Sequence, residues 1–274
     1  MIEIALMIEG QDGLNWDRWR KIAQVAEDAG YVGLYRSDHF TNPQGPYKDS
    51  LECWTSLTWL ASHSSRVEFG ALVSPVSFHH PSNLVRRAAA VDDLSGGRLW
   101  LGLGAGWQER EHTNYGFVLG SVAERMARFR EAVHIIAHLL RSDEPLTFRG
   151  TYYSLHEAVL LPRPPRRTPL VIGGSGRRVT LPLAARYADE WNIAFRTPEQ
   201  FRDLSAHLDV LLDGEGRPRS AVRRTLMTRL DYARHEQVRE QVEAFAAAGV
   251  QRLMLQWLDL DDVKGMAALG RALC

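Results

Sequence analysis

Several short stretches of this chain hold residues of types and spacings that could do chemistry. Asp38 and His39 are adjacent, just before Phe40. A carboxylate beside an imidazole that titrates near neutrality suits ring binding by Asp38 and proton transfer by His39. The structural alternative is an Asp that caps a loop beside an exposed His. Gly173-Gly174-Ser175-Gly176, followed by Arg177-Arg178, would turn free backbone N–H groups and positive charge toward an anion such as a phosphate. Gly104-Ala105-Gly106-Trp107 would let a ligand approach the backbone. It lacks the third Gly and the acidic partner of a dinucleotide fingerprint. Trp107, Trp191 and Trp257 fall at or near strand ends, where they could wall a pocket for a planar ring. His79 and His80 are neighbours whose side chains must diverge, and His80 reads as the residue leading into the helix that Pro81 begins. With no His-x-His or Cys-x-x-Cys spacing, no metal site is expected.

These residues need elements to position them, and the periodicity supplies a regular series. Apolar runs of strand length lie at 2–8, 32–35, 67–73, 98–103, 170–173, 190–194, 225–230 and 253–256. Helical stripes alternate with them. Leu84, Val85, Ala88, Ala89 and Val91 form one, closed by Gly96-Gly97. Val122, Met126, Phe129, Val133, Ile136, Ala137 and Leu140 form another, with Ser121 and Glu124 fitting a capping box. The series predicts eight strands alternating with helices, hence an α/β fold with a parallel sheet, most simply a closed (β/α)8 TIM barrel. Residues 143–168 break the rhythm with a hairpin near 148–153 and a run rich in Pro and Arg. They read as an insertion between helix four and strand five. In such barrels the loops at the strand carboxyl ends build the site, and Asp38, Gly104 and Gly173 all fall there.

The composition narrows the function classes. The chain has 274 residues, 45% of them apolar and with zero formal net charge, so it has material for one large core and no global field for nucleic acid or acidic membranes. Cys53 and Cys274 form no spacing motif, and there is no long apolar run, so a reduced, cytoplasmic setting is expected. A small-molecule substrate is the remaining class of partner.

The motifs together resemble the bacterial luciferase-like monooxygenase superfamily, and within it the oxidoreductases that use the 8-hydroxy-5-deazaflavin coenzyme F420. The resemblance is carried by Arg36-Ser37-Asp38-His39-Phe40, Gly70 to Ser77, Phe78-His79-His80-Pro81 and Leu94-Ser95-Gly96-Gly97-Arg98. Gly102 to Trp107 with Glu109 and Glu111-His112, and Ile172 to Gly176 with Ala188-Asp189-Glu190-Trp191-Asn192, complete it. It implies a single barrel domain over 1–274, usually a homodimer, with the cofactor ring in the barrel mouth. It places a non-prolyl cis peptide within Ala71-Leu72-Val73 behind the ring, and Gly104, Ala105, Gly106 and Trp107 beside it. The phosphate would rest on Gly173, Gly174, Ser175 and Gly176. Asp38 would contact the ring and His39 would serve protonation, as a hydride moves between the deazaflavin C5 and a small organic substrate. The motifs leave two other readings open: an FMN-dependent monooxygenase fed by a flavin reductase, and a catalytically silent flavin-binding barrel. There are departures. Many relatives have Arg where His79 stands, and the deazaflavin sugar-phosphate dehydrogenases have an acidic proton donor where this chain has Trp107.

Overall fold

In the computed structural model, residues 2–230, 232 and 235–274 are described. The chain opens with β1 (Glu3–Ile8), α1 (Trp16–Asp28), β2 (Gly33–Arg36) and α2 (Cys53–His63). It continues through β3 (Glu68–Ala71), β4 (Ser74–Pro75), α3 (Pro81–Leu94), β5 (Leu101–Gly104), α4 (Glu109–Tyr115) and α5 (Val122–Arg141). A two-stranded excursion, β6 (Leu146–Arg149) and β7 (Ser154–Ala158), precedes β8 (Leu170–Gly173), α6 (Thr180–Tyr187), β9 (Glu190–Ala194) and α7 (Pro198–Gly214). β10 (Arg223–Thr228), α8 (His235–Ala247), β11 (Arg252–Trp257) and α9 (Val263–Leu273) complete it.

All strands of the large sheet run parallel, in the order β3-β2-β1-β11-β10-β9-β8-β5-β4. The two ends meet. Phe69 N–H donates to the Arg98 carbonyl at 3.0 Å and Trp100 N–H to the Phe69 carbonyl at 2.8 Å, so β3 reaches the start of β5. β4 continues the line of β3 and pairs with β5 through Ser74 and Leu103. Counting β3 and β4 as one stave, the sheet is an eight-stave closed barrel, as the alternation predicts. Strands buried on both faces read as continuous apolar runs, which is why period-2 alternation is absent from the sequence. The excursion lies where expected, between α5 and β8. Glu131 on α5 fixes its turn, accepting the N–H groups of Thr151, Tyr152 and Tyr153 at 2.8, 3.0 and 3.1 Å.

Strand three divides into β3 and β4, where the sequence predicts an unbroken run to Val73. The Leu72–Val73 peptide is cis, within the triplet implied by the family resemblance. Val73 projects toward the ends of β5 and β8. A Cβ on Gly104 would lie 2.4 Å from Val73 Cγ2, and one on Gly173 2.9 Å from its Cγ1. These two glycines are therefore packing requirements of a neighbouring strand.

The inner core is small: Ala5, Met7, Tyr35, Leu72, Trp100, Val171 and Met254. Below it an ionic cluster closes the amino-terminal end of the barrel. Arg252, 1% exposed, donates to Glu3 at 2.7 Å, Glu68 at 2.6 Å and the Tyr35 hydroxyl at 2.7 Å. Glu190 is fully buried beside Arg252 and Arg223, at 3.8 and 3.7 Å. Desolvation outweighs both cations and pushes the Glu190 carboxyl up to about 7. The Leu-Ser-Gly-Gly-Arg block is also scaffold. Arg98 donates to the carbonyls of Ala61, Ser64 and Val67, tying α2 to the start of β5.

Candidate active site

Asp38 and His39 follow β2 at the carboxyl end of the barrel and point to different partners. Asp38 Oδ2 accepts from Ser74 Oγ at 2.7 Å and from His79 Nε2 at 2.8 Å. Ser74 Oγ accepts in turn from Trp54 Nε1 at 3.0 Å. Burial opposes ionisation of Asp38, but the hydrogen bond and charge of His79, with the Ser74 hydroxyl, hold its carboxyl below the usual range. Asp38 is thus the buried half of a pair with the partly exposed His79, a residue whose role the sequence does not disclose. His80 caps α3, accepting the Ser82 N–H through Nδ1 at 3.3 Å.

His39 turns toward Glu111, on α4. His39 Nδ1 lies 2.8 Å from Glu111 Oε1, while Glu111 Oε2 accepts the Phe40 N–H at 2.9 Å. Glu111 is 1% exposed. Gln108 Nε2 lies 3.3 Å from the same Nδ1 but donates to the Thr41 carbonyl at 2.9 Å. The Glu111 carboxylate can only accept, and at 2.8 Å it places the proton on Nδ1, which leaves Nε2 as the free ring atom. Desolvation disfavours the imidazolium, yet the hydrogen bond and charge of Glu111, aided by Glu9 and Asp38, raise the His39 pKa above its ordinary value.

Trp107 stands over this pair, 60% exposed, edge-on to the His39 ring at 5.6 Å. Phe40, Phe78, Tyr115 and Phe117 cluster beside it, with centroids 4.7–5.3 Å apart. Gly106 has φ +83°, and a Cβ there would come within 2.4 Å of Ser77 Oγ. That hydroxyl is 2.7 Å from His112 Nε2, so the Gly-x-Gly turn is moulded on Ser77 and His112. Ala105 packs against the outer core. Trp191 does not wall the mouth: it is fully buried against the helix layer, stacked on Phe201 of α7. Trp257 is also buried and stacks on Tyr232 at 4.5 Å.

The glycine-rich segment after β8 is open. Gly173 ends the strand, and Gly174, at φ +124°, donates its N–H to the Asn192 carbonyl at 2.9 Å. Ser175, Gly176 and Arg177 lie outside any helix or strand, and no backbone acceptor among the described residues takes their N–H groups. Arg196 Nη2 donates to Ser175 Oγ at 3.2 Å, adding a guanidinium that the sequence motif does not contain. Arg177 is turned away into an ion pair with Asp203. Backbone N–H groups, a hydroxyl and a guanidinium are thus gathered in the turn between β8 and α6, a donor set of the kind that suits an anion. Among the described residues there is no group of three or more His, Cys, Asp or Glu able to hold a metal ion, and no helix long and apolar enough to cross a membrane.

The luciferase-like monooxygenase family profile matches residues 3–265, nearly the whole barrel. The chain belongs to this family. Among its luciferase-like relatives is an F420-dependent glucose-6-phosphate dehydrogenase of Kineococcus radiotolerans, 33% identical over 159 residues, or 58% of this chain and 47% of that protein. An F420-dependent hydroxymycolic acid dehydrogenase of Mycobacterium tuberculosis is 32% identical over 176 residues, 64% of this chain and 48% of the relative. The chain thus matches about half the length of these curated relatives. The fold is that of an F420-dependent secondary alcohol dehydrogenase solved with an F420-acetone adduct, at TM-score 0.90 and 19% identity over 99% of this chain and 98% of the other.

The sequence does not reveal Glu111, Gln108 or Arg196 as site residues. Glu111 lies on a seven-residue helix, Glu109–Tyr115, with no apolar stripe for periodicity to find. The usable signals were that Glu111 lies five residues past Gly106 and that Glu111-His112 is among the residues carrying the family resemblance.

Proposed function

We propose that this chain is a coenzyme F420-dependent oxidoreductase of the luciferase-like family, moving a hydride between the deazaflavin C5 and a small organic substrate. The observation that carries the reading is the His39–Glu111 pair: an imidazole with Nδ1 committed to a buried carboxylate and Nε2 free at the strand-end face. The F420-dependent relatives support the choice of cofactor. The residues present also fit such a group. The donor set at Ser175, Gly176 and Arg196 suits a phosphate, and the turn from Gly104 to Trp107, with Val73 between Gly104 and Gly173, suits a flat ring.

When bound, coenzyme F420 supplies two-electron hydride chemistry at C5. The chain's residues do the rest. His39 Nε2 holds the proton that a substrate carbonyl oxygen gains, or takes the one that a hydroxyl loses. Glu111 fixes the tautomer and stabilises the charged ring. Asp38, held by His79 and Ser74, keeps a fixed negative charge beside His39. Trp107 and the aromatic cluster exclude water. Trp107, in place of an acidic donor, supports a substrate other than a sugar phosphate.

The test is a side-by-side fluorescence titration of the purified protein with coenzyme F420 and with FMN. Tight F420 binding and weak FMN binding are expected. His39→Ala should keep F420 affinity while losing about 10²–10⁴-fold in turnover of small alcohols or ketones. Preference for reduced FMN with oxygen consumption would overturn the proposal in favour of a monooxygenase.

A further inference from the structure

At the amino-terminal end of the barrel, opposite the candidate active site, a pocket of ≈ 440 Å³ opens among the residues that lead into β5, β8 and β9. Four arginines line it, Arg141, Arg166, Arg167 and Arg217, together with Asp189 and Trp100. The carboxylate is committed. Asp189 Oδ2 accepts from Arg141 Nη2 at 2.9 Å and from the Leu170 N–H at 2.8 Å. Arg166 is balanced from behind by the fully buried Asp92, at 3.0 Å. Arg217 has no carboxylate partner among the described residues and is fixed by the Ala185 and Ala188 carbonyls, at 2.7 and 2.8 Å. Arg167 is exposed and makes neither an ion pair nor a hydrogen bond among the described residues. Two guanidinium charges are thus left without a carboxylate. Burial, and next the charge of Arg141, hold Arg217 below its ordinary pKa, against the weaker pull of Asp189 and Glu215.

Trp100 is the second observation. It is 8% exposed, and its Nε1–H, which can only donate, is buried with no acceptor among the described residues. Its ring already carries the Arg223 and Arg252 guanidinium groups, 4.7 and 5.7 Å from the centroid. Unbalanced guanidinium charge beside an orphaned N–H calls for a negatively charged acceptor. A tetrahedral oxyanion is both, and its paired oxygens match the planar fork of an arginine. The arginines are also held ready. Their structural bonds use Nη2 of Arg141, Nε and Nη2 of Arg166, and both Nη atoms of Arg217, which leaves the other guanidinium nitrogens available. The volume is that of a small-ligand pocket, with room beyond the oxyanion itself.

We propose that this pocket at the base of the barrel binds a phosphate group, free or carried by a small molecule, through Arg141, Arg166, Arg167 and Arg217, with Trp100 Nε1 as a further donor. The site is independent of the cofactor reading. Its test follows the indole N–H resonances of the eight tryptophans in nitrogen-15-labelled protein, assigned by through-bond correlations. Inorganic phosphate, and separately glycerol phosphate, replaces chloride at constant ionic strength. The Trp100 resonance should move saturably as its N–H gains an acceptor. Arg167→Gln touches no internal bond and should weaken binding about two- to fivefold, the yield of one exposed ion pair. Arg196→Gln at the mouth should leave the Trp100 response unchanged, which separates this pocket from the donor set after β8. Tighter binding of the ester would assign the pocket to a phosphorylated small molecule, and equal binding to phosphate itself. A Trp100 resonance that stays still with both ligands, or that moves with the same midpoint in Arg167→Gln, would overturn the site.

Discussion

At the residue scale, the pair to perturb is His39–Glu111. Glu111→Gln keeps the shape and one acceptor for the Phe40 N–H, but removes the charge that holds the imidazolium. His39 should then titrate at lower pH than in the parent, read directly from its ring-proton shifts by NMR. The sign for activity follows. If His39 donates its proton during reduction, the rate falls as pH rises through its raised pKa, and Glu111→Gln should move that limb to lower pH. An unmoved limb would mean that another group supplies the proton. The same logic applies to stability: the pair contributes fully below the ordinary histidine pKa, and that contribution is lost as pH rises through the raised folded value.

At the element scale, the shape of strand three decides what its neighbours can be. Val73 leaves the barrel line between β3 and β4 and occupies the space that side chains at Gly104 and Gly173 would need. Gly104→Ala should therefore cost about 1–3 kcal/mol in denaturant unfolding, as overpacking does. Val73→Ala in the same chain should recover part of that loss, because the clash is with Val73 Cγ2 itself. Purely additive losses would show that the glycine serves some other need. The capping boxes at Ser121 and Thr197 were legible because they are local. The division of strand three was not, because an apolar run reads alike whether or not one of its residues is turned aside.

At the scale of the whole molecule, the barrel has a charged base and a site at its mouth. Glu190 is the base residue with a pH signature. Its folded carboxyl titrates near 7, against an ordinary value near 4.5, so the folded state binds a proton more tightly than the unfolded chain. Ionising it costs stability progressively as pH rises from about 4.5 through about 7, to a limit of roughly 3 kcal/mol. Glu190→Gln should flatten the fall in thermal stability between pH 5 and pH 8. An unchanged slope would mean that Arg223 and Arg252 already stabilise the ionised form.

The chain's order of apolar runs and helical stripes determined the barrel, its eight staves and the place of the excursion, because those depend on continuous apolar runs of strand length, on stripes of period 3.6 and on short connections. It also determined that Asp38, His39, Gly104 and Gly173 share the strand-end face, since alternation alone puts every such loop on one side. What the tertiary structure decided are the pairings across that face. Glu111 reaches His39 over 72 positions, His79 reaches Asp38 over 41, and Arg196 reaches Ser175 over 21. A hydrogen bond between loops is set by how the staves curve and how each loop folds back, and no spacing along the chain records that. Trp191 shows the same limit: its place in the apolar run 190–194 was legible, but which side of the strand it faced was decided by packing against α7.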